Sequence, residues 1–160
     1  MNENEKLIEN FYRSFASRDY RAMQDCYAER AVFSDEVFQD LDSSEVKAMW
    51  EMLIKRGTDL EIRWQNVRAG DKSGSAEWIA VYTFSQTGKK VENHIRAEFE
   101  FENGKIIKHI DTFDFPKWAA QALGLPGRLL GWTSFLKNKV RKNARKSLTE
   151  FMKSKANLKM

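Results

Sequence analysis

This 160-residue chain has one cysteine, Cys26. That excludes an internal disulfide framework and a cysteine-built metal site. Cys26 stands beside Tyr27 in a helix-like run and reads as a small buried hydrophobe. The chain has two histidines, His94 and His109, and two prolines, with no Pro/Gly-rich linker. No apolar run approaches the roughly 18 residues a membrane span needs. A Gly-rich phosphate loop, a nucleophile elbow and a Cys–His pair are also missing. The opening "MNENEKLIENFY" is polar and acidic, unlike a secretory signal. Together these features predict a cytoplasmic protein that uses neither a metal nor another cofactor.

Charge is present but unevenly placed. The formal net charge is +4, yet residues 133–160 hold nine Lys/Arg against one acid, Glu150. The rest of the chain is mildly acidic. Two regions follow, a body at 1–132 and a basic amphipathic tail at 133–160.

The first half of the body has helical spacing. Leu7, Ile8, Phe11, Phe15 and Ala16 share one face. Asp19 reads as an N-cap for a short helix through Met23 and Tyr27. "AVFSD" at 31–35 is a short strand. Asp42 and Glu45 have capping-box spacing before a helix that ends at Gly57.

The second half predicts a curved antiparallel sheet over 59–69, 75–86, 89–102 and 105–113. In 91–102, Val91, Asn93, Ile95, Ala97, Phe99 and Phe101 alternate with charged residues and His94. That pattern buries one face and wets the other, with His94 on the wet side. A two-residue turn at Thr87-Gly88 would place Tyr82 opposite Asn93 and Trp78 opposite Ala97. At "ENG", 102–104, a two-residue Asn-Gly turn would put Lys108 on the apolar face opposite Phe99; a three-residue loop with Gly104 in the bulge position avoids burying the lysine and is preferred. It would set His109 opposite Ala97, Asp111 opposite Ile95 and Phe113 opposite Asn93. Asp111 is then the one carboxyl in an apolar wall. Asp114 has the other parity and precedes "FPKWAAQALG", so it reads as a helix cap.

"YAERAVFSD", "GKIIKHIDTFD" and the following helix, over about residues 4–125, resemble the SnoaL-like proteins. These belong to the superfamily of nuclear-transport-factor-2-like α+β cones. The resemblance implies N-terminal helices on a strongly curved antiparallel sheet, a homodimer through the outer sheet face, and Asp35 pointing into the cavity. Ketosteroid isomerases of this superfamily carry their base where Asp35 stands. Their tyrosine position falls near Phe11, with Tyr12 one residue on, and their second aspartate falls on Ala97. Limonene-epoxide hydrolase is similar at "GKI…D-x-F-D", which matches Asp111 to a catalytic carboxylate. Its arginine and second aspartate fall on Trp78 and Ala80, and Asp35 replaces a water-holding asparagine. Polyketide cyclases need an acid/base carboxylate in an apolar pocket, and Asp111 fits that need.

The expected function is a pocket for a small apolar or amphipathic molecule, with Asp111 and Asp35 as acid/base residues. Isomerisation, cyclisation and hydration are the reaction classes. Phe15, Phe33, Trp50, Trp78, Tyr82, Asn93, Ile95, His109 and Phe113 are the expected pocket residues, unless they fill the cone. A carboxyl among apolar side chains holds its proton more tightly than one in water, which suits a proton shuttle. His109 reads as a hydrogen-bonded core histidine rather than a metal ligand. The rival is a non-catalytic binding or dimerisation module whose tail attaches to a partner, a membrane or nucleic acid. Leu136, Val140, Ala144, Leu148 and Phe151/Met152 form a thin stripe on the tail. The expectation is that this stripe docks on the body or a second subunit.

Overall fold

Side-chain caps start the helices where the sequence places them. The computed structural model describes residues 1–158; Lys159 and Met160, the end of the tail segment, lie outside it. In α1 (Glu3–Ala16), Asn2 accepts from the Glu5 amide at 2.8 Å. In α2 (Tyr20–Asp25), Asp19 accepts from Ala22 N at 3.1 Å. In α3 (Ser43–Arg56), Asp42 and Glu45 form the reciprocal capping box, at 2.9 and 3.0 Å. Each cap satisfies an amide that has no carbonyl one turn back. Ile8, Phe11, Tyr12 and Phe15 bury one face of α1, as their spacing requires.

Five strands follow: β1 (Tyr27–Ser34), β2 (Glu61–Ala69), β3 (Ser73–Phe84), β4 (Lys89–Glu102) and β5 (Lys105–Thr112). They lie in the order β1-β5-β4-β3-β2. The antiparallel expectation holds for β2 to β5. β1 pairs parallel with β5, so the sheet is mixed. Tyr27 does not continue α2. It opens β1, opposite Ile106. Along β4 burial alternates without a break from Val91 to Glu102.

Two turns differ from expectation. β3 and β4 are joined by four residues, Ser85–Gly88, and Phe84 pairs with Lys89. A two-residue turn of the hairpin-favoured type needs φ > 0 early in the loop, which β-branched Thr87 resists. Only Gly88 takes it, at φ 73°. The pairing therefore slides: Tyr82 faces Val91, Ala80 faces Asn93 and Trp78 faces Ile95. The slide is two residues, so every side chain keeps its face.

Between β4 and β5 the turn has two residues, Asn103-Gly104, at φ 51° and 75°. The extra residue lies in β5 instead. Phe101 pairs with Ile106 and Glu100 with Lys108, which leaves Ile107 as a bulge. The bulge restores parity, so Lys108 stays exposed while His109 and Asp111 turn inward. Their partners are Phe99 and Ala97, not Ala97 and Ile95. Phe113 follows the end of β5 and pairs with no strand.

Three helices complete the chain: α4 (Phe115–Leu123), α5 (Leu125–Leu130) and α6 (Ser134–Leu158). Asp114 caps α4, accepting from Lys117 N at 3.1 Å. α6 lays its stripe on the body along α3, with Leu136 and Leu148 buried. Ion pairs flank the stripe: Lys137–Glu36 at 2.8 Å, Arg145–Glu45 at 2.5 Å and Lys155–Glu51 at 2.5 Å.

Candidate functional site

The inner face of the sheet, α3, α4 and α6 enclose a cavity of about 450 Å³. The cone is therefore hollow, and the volume is in the range of small-molecule sites. Its closed end is formed by buried residues, including Trp50, Trp78 and Asp111. It reaches the surface between Arg56, Ser85 and Gln86 on one side and Lys139 and Asn143 of α6 on the other, all exposed.

Asp35, Asp111, Phe15, Trp50, Trp78, Tyr82, Asn93, Ile95 and Phe113 all line this cavity. Phe33 and His109 do not. Both are buried one layer behind the wall, where Phe33 meets Trp50 and His109 edge-on. Their inward parity was legible, but depth along the strand was not. The α6 residues Leu136, Val140, Ala144 and Ser147 also form wall. Their stripe was visible in the sequence, and its partner was not.

At the closed end a chain of polar groups runs through the apolar core. Trp50 Nε1 donates to Tyr27 Oη at 2.9 Å. Tyr27 Oη lies 2.8 Å from His109 Nδ1, and His109 Nε2 lies 2.9 Å from Asp111 Oδ1. Tyr27 has one proton to give, and its oxygen already accepts from Trp50. The arrangement that satisfies every group has Tyr27 donating to Nδ1 and a neutral His109 donating from Nε2 to Asp111. Trp78 Nε1 also donates to Asp111 Oδ1, at 3.4 Å. Oδ1 thus has two donors, whereas the buried Oδ2 has no hydrogen-bond partner among the described residues. The buried hydroxyl of Tyr12 is the other such atom. Burial, then the charge of Asp111, push the Tyr12 pKa up. Sequence reasoning missed Tyr27 because its strand was taken for the end of a helix.

Asp35 sits just past β1 in a tight turn, its Oδ1 accepting from the amides of Val37 at 2.7 Å and Phe38 at 2.6 Å. Burial raises its pKa to about 7, against the lowering pull of the two amides; Asp111 and Glu36 add to the rise. Near neutral pH, Asp35 is divided between its acid and its carboxylate. Tyr82 also feels Asp35, after the larger effect of burial, and its pKa is raised. Its hydroxyl accepts from Trp118 Nε1 at 2.8 Å, which leaves its own proton to donate. The cavity therefore combines apolar walls with the Asp35 and Asp111 carboxyls and the Tyr82 hydroxyl.

The SnoaL-like domain family matches residues 8–109, more than half of the chain. The chain belongs to that family. No curated protein matches it at the sequence level. Among solved structures, this SnoaL-like chain is similar to IdmH, a candidate polyketide cyclase from Streptomyces antibioticus. The identity is 18%, with 78% of this chain and 100% of the other covered, and the TM-score is 0.64. It is also similar to AclR, a candidate hydroxylase from Streptomyces galilaeus, at 18% identity, 80% and 97% coverage and TM-score 0.63. An LEH-like epoxide hydrolase of M. tuberculosis gives 16% identity, 80% and 96% coverage and TM-score 0.63. At such identities the likeness concerns the SnoaL-like fold alone.

Proposed function

We propose that the cavity takes a small, largely apolar molecule bearing a carbonyl or similar oxygen, and moves a proton on it. The observation that carries this reading is that two carboxyls line one apolar cavity in different settings. Asp111 has one oxygen fixed by His109 and Trp78 and the other without a partner. Asp35 holds its proton to about pH 7. Two carboxyls in such different hydrogen-bonded settings suit a division of labour between base and acid. Asp111 is the base, taking a proton from carbon next to the substrate oxygen. Asp35 in its acid form and the Tyr82 hydroxyl supply hydrogen bonds to the oxygen as charge develops there. His109 and Tyr27 hold Asp111 in place. Isomerisation or ring closure through an enol follows from such a step. The polyketide-cyclase name carried by one relative supports the same class of substrate.

An enolisable apolar ketone such as 2-tetralone tests this in D₂O. The protein is expected to speed deuterium uptake, and Asp111→Asn to lower the rate by about 10²-fold or more. Equal rates for the two proteins would remove Asp111 from the chemistry. The cytoplasmic setting and the homodimer belong to the same reading. Sedimentation equilibrium at micromolar concentration tests the dimer, with a monomer mass as the contrary result.

A further inference from the structure

The apolar stripe of α6 is consumed by docking, yet a different apolar surface stays open. Leu125 and Leu129 on α5, Trp132 in the turn and Phe135 at the start of α6 are 67%, 62%, 77% and 72% exposed. They follow one another within residues 125–135. Leu125 and Leu129 are one helical turn apart, and Trp132 Nε1 donates to the Leu129 carbonyl at 3.0 Å. The elbow is built rather than frayed. A Cβ on Gly127 would fall 1.9 Å from the Ala119 carbonyl oxygen, so α5 sits close against α4 and turns its leucines outward. Adjacent exposed apolar side chains of this size mark an interaction site.

The charges nearby indicate what covers it. On α6, Lys137, Arg145 and Lys155 pair with acids of the body. Lys139, Lys142, Lys146 and Lys153 are exposed and form no ion pair among the described residues. They stand at i+4, i+7, i+11 and i+18 from Phe135, on the same helical face. A row of free lysines leading from an apolar knob of Leu, Trp and Phe is the pattern of an interfacial helix on anionic lipid. A nucleic-acid surface would not call for the leucines, and a second copy would set lysine against lysine.

We propose that the elbow of α5 and α6 docks on an anionic lipid bilayer, Leu125, Leu129, Trp132 and Phe135 entering the interface and Lys139, Lys142 and Lys146 facing the headgroups. Leu123, Pro126 and Lys139 of this region also line the cavity, so its mouth then lies beside the lipid phase. The docking rests on the surface alone and not on the chemistry of Asp111, so vesicle binding reads it separately from ketone exchange.

Cosedimentation of the full chain with vesicles tests it. Phosphatidylcholine with roughly 30% phosphatidylglycerol should bind at least about tenfold more tightly than phosphatidylcholine alone, and added salt should weaken the binding. Trp132→Ala with Phe135→Ala should weaken it by about tenfold or more without changing the melting temperature, since both side chains are exposed. Trp132→Phe should retain binding but lose the quenching of tryptophan fluorescence by brominated lipid. Lys139→Gln, Lys142→Gln and Lys146→Gln together should abolish the preference for phosphatidylglycerol. The proposal is overturned if wild type does not bind, or if the Trp132/Phe135 variant binds equally well. It is also overturned if that variant turns a dimer into a monomer, because a second copy then covers the patch. Duplex DNA binding without vesicle binding overturns it as well.

Discussion

Asp35 and Asp111 differ in their surroundings, although both are aspartates on one cavity. Asp35 pays for its burial with a pKa near 7, against an ordinary value of 3.8. A raised folded-state pKa means that the folded protein holds the proton more tightly than the unfolded chain. The stabilisation is complete at low pH and is lost as pH rises through about 7. Asp35→Asn keeps an oxygen for the Val37 and Phe38 amides and carries no charge. The variant is therefore expected to gain stability relative to wild type between pH 5 and pH 8, which urea unfolding at the two pH values measures. A constant difference would count against a half-buried, titrating Asp35. Tyr27→Phe removes the donor to His109 Nδ1 and the acceptor of Trp50 Nε1, and leaves two buried nitrogens unpaired. The expected cost is about 1–3 kcal/mol, and nitrogen NMR of His109 should show the Nδ1 signal move while Nε2 keeps its proton toward Asp111.

At the scale of elements, α6 completes the cavity wall, and a few contacts hold it there. Leu148 is 1% exposed, and Leu148→Ala should cost about 2–5 kcal/mol. Burial raises the pKa of Glu51, but hydrogen bonds from Lys155 and Lys55 outweigh it and hold the group below the ordinary glutamate range. With the sign reversed from Asp35, this stabilisation is present at neutral pH and is lost as pH falls through the acid range. Protection factors of the amides in the last turns of α6 should therefore fall at acid pH, and Glu51→Gln should show low protection already at pH 7. Unchanged protection would mean that the apolar stripe alone holds the helix. Asp114 belongs to this scale too. It caps α4 and stands outside the cavity wall, so Asp114→Ala should cost about 1 kcal/mol in a melting experiment and leave ketone exchange nearly unchanged.

For the whole molecule, what could be read from the sequence depended on range. Caps at Asp19, Asp42 and Asp114 involve neighbours within a turn, and they form as their spacing indicates. The faces of β3, β4 and β5 were legible because parity survives both register changes, one a slide of two residues and the other a bulge at Ile107. Which residues stand opposite one another was not legible, since it depends on turn lengths that differ by one or two residues. Tyr27 and the wall residues of α6 reach the candidate site only through contacts with segments far along the chain. Nothing local to them signals those partners. The result is a cone whose apolar cavity contains Asp111 fixed from behind and Asp35 near neutrality. Carbon-detected NMR of the aspartate side chains, titrated in wild type and in Asp111→Asn, tests that arrangement most directly. The Asp35 carboxyl should titrate with a midpoint near 7 in wild type and at a lower pH in Asp111→Asn, where the neighbouring charge is gone. A midpoint near 4 in wild type, or one that does not move in the variant, would contradict it.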